Sequence, residues 1–212
     1  YATVFALKQV GWAPADPGNA PFDRLVKANR YGHNYRLNEM QAVLLRCGLR
    51  RLSSQTAWRE RSAARLRDGL AALGGPLQVA PRDPRVDTQA YYALTLTFNP
   101  HLADGLTRDQ YLAALQQEGA GFGGTYEPVY RNGLLNLYDP QTSPIPHRGT
   151  VPQDYAALGL PNTEQAVTRT AVVLSQRYLL GSNAFLDEVL AAIAKINAHL
   201  GDVRRHLAAK PA

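Results

Sequence analysis

Cysteine is almost absent from this 212-residue chain, where Cys47 stands alone. A single thiol can close no internal disulfide and build no thiolate cluster around a metal, a pattern that suits a reducing, cytoplasmic setting. Such a residue is expected to be buried and inert. Long apolar runs are missing as well. No window approaches the roughly 18 consecutive apolar residues that a helical membrane span needs. The opening YATVFALKQVG lacks the basic start and small-residue cleavage site of a secretory signal, so no membrane partner is expected. Lysine is scarce, at Lys8, Lys27, Lys195 and Lys210 only, so arginine makes up the rest of the 23 basic residues. The net charge of +6 therefore rests on guanidinium groups, which suit nucleic acid or the bidentate recognition of carboxylate and phosphate. The five histidines (His33, His101, His147, His199, His206) are scattered, with none at i, i+4 spacing beside an acid, so no metal site is expected. There is no G-x-S-x-G elbow, P-loop or dinucleotide fingerprint, and no residue of this chain presents itself as catalytic.

What is present is one very long helical pattern followed by an α+β texture. Val4, Leu7 and Lys8 suggest a short opening helix ended by Gly11; GWAPADPGNAP reads as loop, and FDRLVKANR as a helical turn or two. From Asn38 to Leu73 there is no proline. Asn38 is a plausible N-cap, with Gln41 three residues later to complete a capping box. Met40, Leu44 and Cys47 lie on one side with Leu45, Leu49 and Leu52, and Leu66, Leu70 and Leu73 resume the stripe. Arginines fill the other positions until GGP stops the helix at 74–76. An unbroken helix of this length would be about 50 Å long, although SSQT offers a place to break. Its arginines spread around the axis with only Trp58 as an interleaved aromatic, which argues against nucleic acid.

Beyond Pro76, LQVA and Gln89 to Phe98 are strand candidates. Thr107 caps an amphipathic helix that ends at Gly119, and AGFGGTY is a strand whose glycines allow close approach of a ligand or another backbone. DPQTSPIPHRGTVPQDY is a proline-rich loop, and Ala171 to Gly181 is a strand that turns polar at Ser175, Gln176 and Arg177. Tyr91 and Tyr92 are expected in the core and on the sheet surface. Phe185, Val189, Ile193 and Ile196 share one face of a last helix, and the residues from Gly201 onward are expected to be a solvated tail.

The most distinctive stretch is NRYGHNYRLNEMQA, residues 29–42. Gly32, Asn34, Tyr35, Arg36, Leu37, Glu39, Gln41 and Ala42 resemble the G-x-N-Y-R-[ML]-x-E-x-Q-A signature of the DegT/StrS family. Its members are fold-type-I, pyridoxal-phosphate-dependent aminotransferases of keto-sugars and keto-cyclitols. LRRLSSQTAWRERSAARLRDGL, GAGFGGTYEPVYRNGLL and LPNTEQAVTRTAVVLSQRYLLG continue the likeness, the last being similar to the branch of aminohydroxybenzoate synthases and scyllo-inosose aminotransferases. His33 stands where an aromatic is usual, and Asn38 where Ser is usual. The family's Schiff-base lysine, followed by a GEGG-like stretch, matches none of the four lysines, each of which reads as a surface charge.

The resemblance implies an α/β fold: the C-terminal part of a fold-type-I pyridoxal-phosphate-dependent transferase. Residues 1–37 would be a remnant of the large cofactor-binding domain with an interface loop, 38–75 a long linking helix, 76–201 a small α+β domain and 202–212 a tail. It places Asn34 against the phosphate of the neighbouring subunit's pyridoxal 5'-phosphate across a homodimer interface, with Arg36 beside it. Tyr126, Tyr130, Arg131 and Arg177 become substrate candidates, and glutamine or glutamate the amino donor. With no lysine to hold the cofactor, the chain is expected to be inactive alone. A sugar dehydratase of the same family and a non-catalytic interaction module derived from this fold are the alternatives left open.

Overall fold

The computed structural model describes residues 7, 12–14, 25–27, 35, 37–80, 82–131 and 157–209. The chain divides into two compact units, Tyr1–Ser53 and Ser54–Ala212, so the boundary falls inside the long helix.

In the first unit, β1 (Trp12–Pro14) pairs antiparallel with β2 (Leu25–Lys27), Trp12 opposite Lys27 and Pro14 opposite Leu25. This corrects two sequence expectations: residues 12–14 are strand within a presumed loop, and residues 25–27 are strand rather than helix. Three residues are too few for a helix to close its own hydrogen bonds against its nucleation cost, whereas pairing with a second extended segment satisfies the backbone directly. Most of the opening helix expected over residues 1–10 lies outside the described residues.

Helix α1 (Glu39–Leu73) runs for 35 residues without a break at SSQT. Its start is the capping box read from sequence. The Gln41 backbone N–H donates to Asn38 Oδ1 at 2.9 Å, and the Asn38 N–H donates to Gln41 Oε1 at 3.1 Å. Glu39 places a negative charge in the first turn, where it complements the helix dipole. Within the first unit the helix exposes Met40, Val43, Leu44, Leu45, Leu49 and Leu52. Cys47 is exposed with them, not buried, because it belongs to this uncovered stretch. At the far end Gly74 and Gly75 take φ values of +63° and +93°, a conformation that a side chain would oppose. They turn the chain directly into the sheet.

The second unit is a four-stranded antiparallel sheet with helices on one face. β3 (Leu77–Val79), β4 (Ala93–Phe98), β5 (Phe122–Gly123) and β6 (Ala171–Ser175) stand in the order β3-β4-β6-β5. Strand periodicity sends Leu94, Leu96 and Phe98 to one side, and register aligns Leu174 and Val172 with Leu94 and Leu96. These side chains are buried in a single core with Ala63, Leu66 and Leu70 of α1. Helix α2 (Arg108–Gln117) adds Tyr111 and Leu115, and α4 (Asn183–Ala198) adds Leu186, Val189, Ile193 and Ile196. Thr107 and Gln110 form a second capping box at the start of α2. The buried Tyr111 hydroxyl donates to Asn197 Oδ1 at 2.7 Å, and Asn197 Nδ2 donates to the Gly74 carbonyl at 3.2 Å; burial pushes the Tyr111 hydroxyl pKa upward. Strand β4 begins at Ala93, four residues later than its apolar composition suggested.

Between β5 and β6 lie the short helix α3 (Pro161–Gln165) and a π-helical turn, Ala166–Thr170. The proline-rich loop expected between 139 and 155 is outside the described residues. After α4 the chain forms one more helix, α5 (Leu200–Ala209). The expected tail from residue 202 is therefore ordered through Ala209. Leu200, Val203 and Leu207, at i, i+3 and i+7, pack partly buried against the core, and Arg204 Nη1 donates to the Asp104 carbonyl at 2.9 Å.

Candidate functional site

The open face of the sheet carries the site. Alternation that buries Leu94 and Leu174 turns Ala93, Thr95, Val173 and Ser175 the other way, and Gly123 lies opposite Val173 in the register. Over these residues lies a cavity of about 560 Å³, beside a second of about 440 Å³ that shares Tyr92, Ala93, Tyr126 and Val173. Small residues on three neighbouring strands leave that space; helices fill the other face.

Tyr92, just ahead of β4, and Tyr126, three residues after β5, are both exposed and join hydroxyl to hydroxyl over both cavities. That hydrogen bond, then the neighbouring Tyr92 charge, pushes the Tyr126 pKa up, so Tyr126 stays neutral at physiological pH. Ser175 closes β6, and Gln176 and Arg177 follow where the chain enters a single 3-10 turn, Tyr178–Leu180. Leu179 is fully buried and pins that turn, which presents Gln176 and Arg177 to the larger cavity. The Gln176 carboxamide is held from α1: Arg59 Nε donates to Gln176 Oε1 at 2.8 Å. The guanidinium of Arg177 lies 5.7 Å from the ring centroid of Tyr178. A Cβ at Gly121 would overlap the Tyr178 hydroxyl, so this glycine serves close packing of the wall.

Arg108 braces the site from below. It is buried, and its Nη1 donates to the carbonyls of Val167 and Ala171 at 2.5 and 3.1 Å. Its Nε donates to Asp109 Oδ1 at 2.8 Å. A charged donor thus holds two carbonyls where the π turn gives way to β6, and the strand that delivers Ser175 is anchored at its start.

The sequence-derived substrate candidates divide into two groups. Tyr126 and Arg177 line the same cavity. Tyr130 and Arg131, in the turn Val129–Arg131, converge on Glu164 of α3 instead. Arg131 Nη2 stands 2.7 Å from Glu164 Oε1, and the hydrogen bond to Glu164 raises the Tyr130 pKa. Asn34 and Arg36 lie outside the described residues. Tyr92 and Gln176 are the site residues that the sequence reading did not single out. The signal for Tyr92 was its position at the edge of an alternating strand; Gln176 lay in a noted polar turn, but nothing local marks its tie to Arg59.

Three of the helix arginines, Arg59, Arg65 and Arg67, are engaged within the fold. Arg65 forms a bidentate pair with Asp187, 2.6 Å at its shortest, Arg67 Nε donates to the Ala80 carbonyl at 3.4 Å and Trp58 Nε1 donates to the Gly181 carbonyl at 3.1 Å. Lys195, expected as a surface charge, is exposed and pairs with Glu118 at 2.8 Å. Among the described residues no helix is long and apolar enough to cross a membrane, and no group of three or more His, Cys, Asp or Glu could hold a metal.

Residues 4–173 match the model of the DegT/DnrJ/EryC1/StrS aminotransferase family. A Micromonospora echinospora protein provisionally named L-glutamine:3-amino-2,3-dideoxy-scyllo-inosose aminotransferase is 31% identical over 190 residues, 89% of this chain and 45% of its own length. The L-glutamine:2-deoxy-scyllo-inosose aminotransferase of the same organism is 29% identical over 195 residues, 91% of this chain and 45% of its own. Among solved structures, 3-amino-5-hydroxybenzoic acid synthase superposes with a TM-score of 0.66 at 25% identity, over 94% of this chain and 47% of that one. The chain thus spans a little under half the length of the curated relatives it matches.

Proposed function

The chain belongs to the DegT/DnrJ/EryC1/StrS aminotransferase family, and from that premise we propose that it is the C-terminal portion of a pyridoxal-phosphate-dependent aminotransferase. The reaction moves an amino group from glutamine or glutamate to a keto-cyclitol, keto-sugar or related ring. Residues 1–37 are the remnant of the large domain, 38–75 the linking helix and the remainder the small domain. The observation that carries the reading is the cavity on the open sheet face, where Tyr92, Tyr126, Ser175, Gln176 and Arg177 converge in a chain whose relatives are named for inosose substrates.

The described residues fit the substrate-facing half of such a site. The cavity offers hydroxyl, amide and guanidinium groups for a polar ring, while tyrosine rings offer apolar surface. Arg177 and Tyr126 orient the ring; Tyr130 and Arg131, joined to Glu164, are the remaining substrate candidates. Asn34 and Arg36 hold the cofactor phosphate of the neighbouring subunit, an amide and a guanidinium being suited to a dianion. Pyridoxal phosphate, when bound, supplies the electron sink for the amino transfer, and the lysine that holds it comes from outside this chain. The complete enzyme is a cytoplasmic homodimer.

The test is glutamine-dependent amination of 2-deoxy-scyllo-inosose by the whole protein that carries this chain. Arg177→Met is expected to lower kcat/KM about tenfold or more, the scale of one lost charge-assisted contact. The 212-residue chain alone, treated with pyridoxal phosphate and borohydride, is expected to retain no stoichiometric lysine adduct. A whole protein that aminates no keto-cyclitol or keto-sugar would overturn the proposal.

A further inference from the structure

The two cavities on the open sheet face share a floor and a roof. Ala93 of β4 and Val173 of β6 line both, and so do Tyr92 and Tyr126. Nothing in the floor divides them: β4 and β6 are continuously paired there, Ala93 opposite Ser175 and Thr95 opposite Val173. The divide is the hydroxyl-to-hydroxyl hydrogen bond between the tyrosines. It separates unlike compartments. Ser175, Gln176 and Arg177 line the cavity of about 560 Å³, whereas the cavity of about 440 Å³ has the hydroxyls of Thr95 and Thr125 and no charged side chain. Both volumes fall within the roughly 300–1,000 Å³ of small-molecule pockets, so each has room for a ring of its own.

The backbone beneath each tyrosine is anchored. Tyr91, beside Tyr92, is buried in the core. Just upstream, Glu60 of α1 accepts the Gln89 N–H at 3.0 Å and pairs with Arg82 at 3.0 Å. Gly123, three residues before Tyr126, pairs with Val173, and Tyr130 and Arg131, after it, meet Glu164. The side chains of Tyr92 and Tyr126 are themselves largely exposed, so packing does little to fix them. Their shared hydrogen bond does, and without it each ring regains rotamer freedom.

We propose that the Tyr92–Tyr126 bridge is a specificity-determining divider. It confines the substrate to one ring in the larger cavity and shuts a second, neutral, hydroxyl-lined subsite to any substituent of that ring. Breaking the bridge joins the two compartments, so that a ring carrying a neutral glycosyl group is accepted, its hydroxyls meeting Thr95 and Thr125. A substituent carrying phosphate would meet no cation in the smaller cavity. That the ring is a keto-ring receiving an amino group rests on the function proposed above; the divider does not.

Calorimetric titration of the whole protein that carries this chain tests it with two unreactive ligands, scyllo-inositol and an O-galactosyl inositol. The parent is expected to bind the single ring about tenfold or more tighter. Tyr92→Phe and Tyr126→Phe each keep the aromatic ring and lose one hydroxyl, and each is expected to lower that ratio about threefold or more. The double variant should add nothing further, because losing either hydroxyl already breaks the bridge. A general folding defect would weaken both ligands together and leave the ratio where it was. Equal affinity of the parent for the two ligands, an unchanged ratio in either single variant, additive changes in the double variant, or saturation with neither ligand would each overturn the divider. If the preference and its loss are seen while the whole protein aminates no keto-cyclitol or keto-sugar, the functional proposal fails and the divider stands. Amination by a protein without that preference leaves the function standing and removes the divider.

Discussion

The two halves of helix α1 have nearly the same texture and opposite fates. From Glu39 to Ser53, leucines alternate with arginines, and Met40, Leu44 and Leu49 are 76%, 71% and 67% exposed. From Ser54 to Leu73 the same alternation leaves Ala63, Leu66 and Leu70 at 0%, 1% and 3%. The backbone is continuous helix throughout. Helical periodicity therefore tells which side would face a partner, but not whether a partner is there. In the second half the sheet and helices α2 and α4 supply one. In the first half nothing among the described residues covers the apolar side chains.

The sharpest way to break that contrast is paired truncation. Leu66→Ala should destabilise the chain by about 2–5 kcal/mol, the range for a fully buried leucine. Leu49→Ala should stay within about 0.5 kcal/mol, as exposed substitutions do. Urea denaturation of both variants measures the difference. A loss at Leu49 approaching that at Leu66 would show that another surface covers the first half in solution.

The two capping boxes extend the comparison at smaller scale. Thr107→Ala removes a cap from a helix seated in the core and should cost about 1 kcal/mol of global stability. Asn38→Ala removes the corresponding cap from the uncovered half, so its effect should appear as faster amide exchange in the first turns of α1 with little change in the urea midpoint. Equal global losses would mean that both halves unfold as one cooperative unit.

Arg65, the side chain that ties the covered half to α4 through Asp187, sits half-exposed, so Arg65→Met should cost only about 0.2–1 kcal/mol. The difference from the parent should shrink as salt is added. The smallest effect is acid sensitivity at α5. The hydrogen bond from His199, then the charge of Arg205, hold Asp202 below its ordinary value of 3.8. A depressed carboxyl pKa stabilises the folded state fully above the unfolded value and loses that contribution as pH falls through the folded one. Circular dichroism should thus show the α4–α5 junction loosening only below about pH 4, and Asp202→Asn should abolish that step.

Local chemistry was legible wherever it was self-contained. Asn38 with Gln41, the Thr107 cap, the stop at Gly74 and Gly75 and the alternation through Leu94, Leu96 and Phe98 each depend on residues within a few positions of one another. Tyr126 and Arg177, which line one cavity, could be singled out because they sit in segments that resemble a known family. The short pairing of residues 12–14 with 25–27 was not, since neither segment has a pattern long enough to identify it as strand. Helix α5 was hidden because its few apolar residues look like a solvated tail until a core is there to receive them. Tyr130 and Arg131 carried the same family signal as Tyr126, but nothing local marks their pairing with Glu164.

Caps and periodicity were enough to establish a long helix and an α+β portion after it, because each follows from steric and hydrogen-bonding preferences of near neighbours; the family was legible only through the resemblance of residues 29–42 and the later segments to a known signature. Folding in three dimensions chose which leucines are covered, and it brought Arg59 to Gln176 across 117 positions of chain. No local preference can encode such a meeting: the polarity of one amide depends on which distant side chain the packed core carries to it.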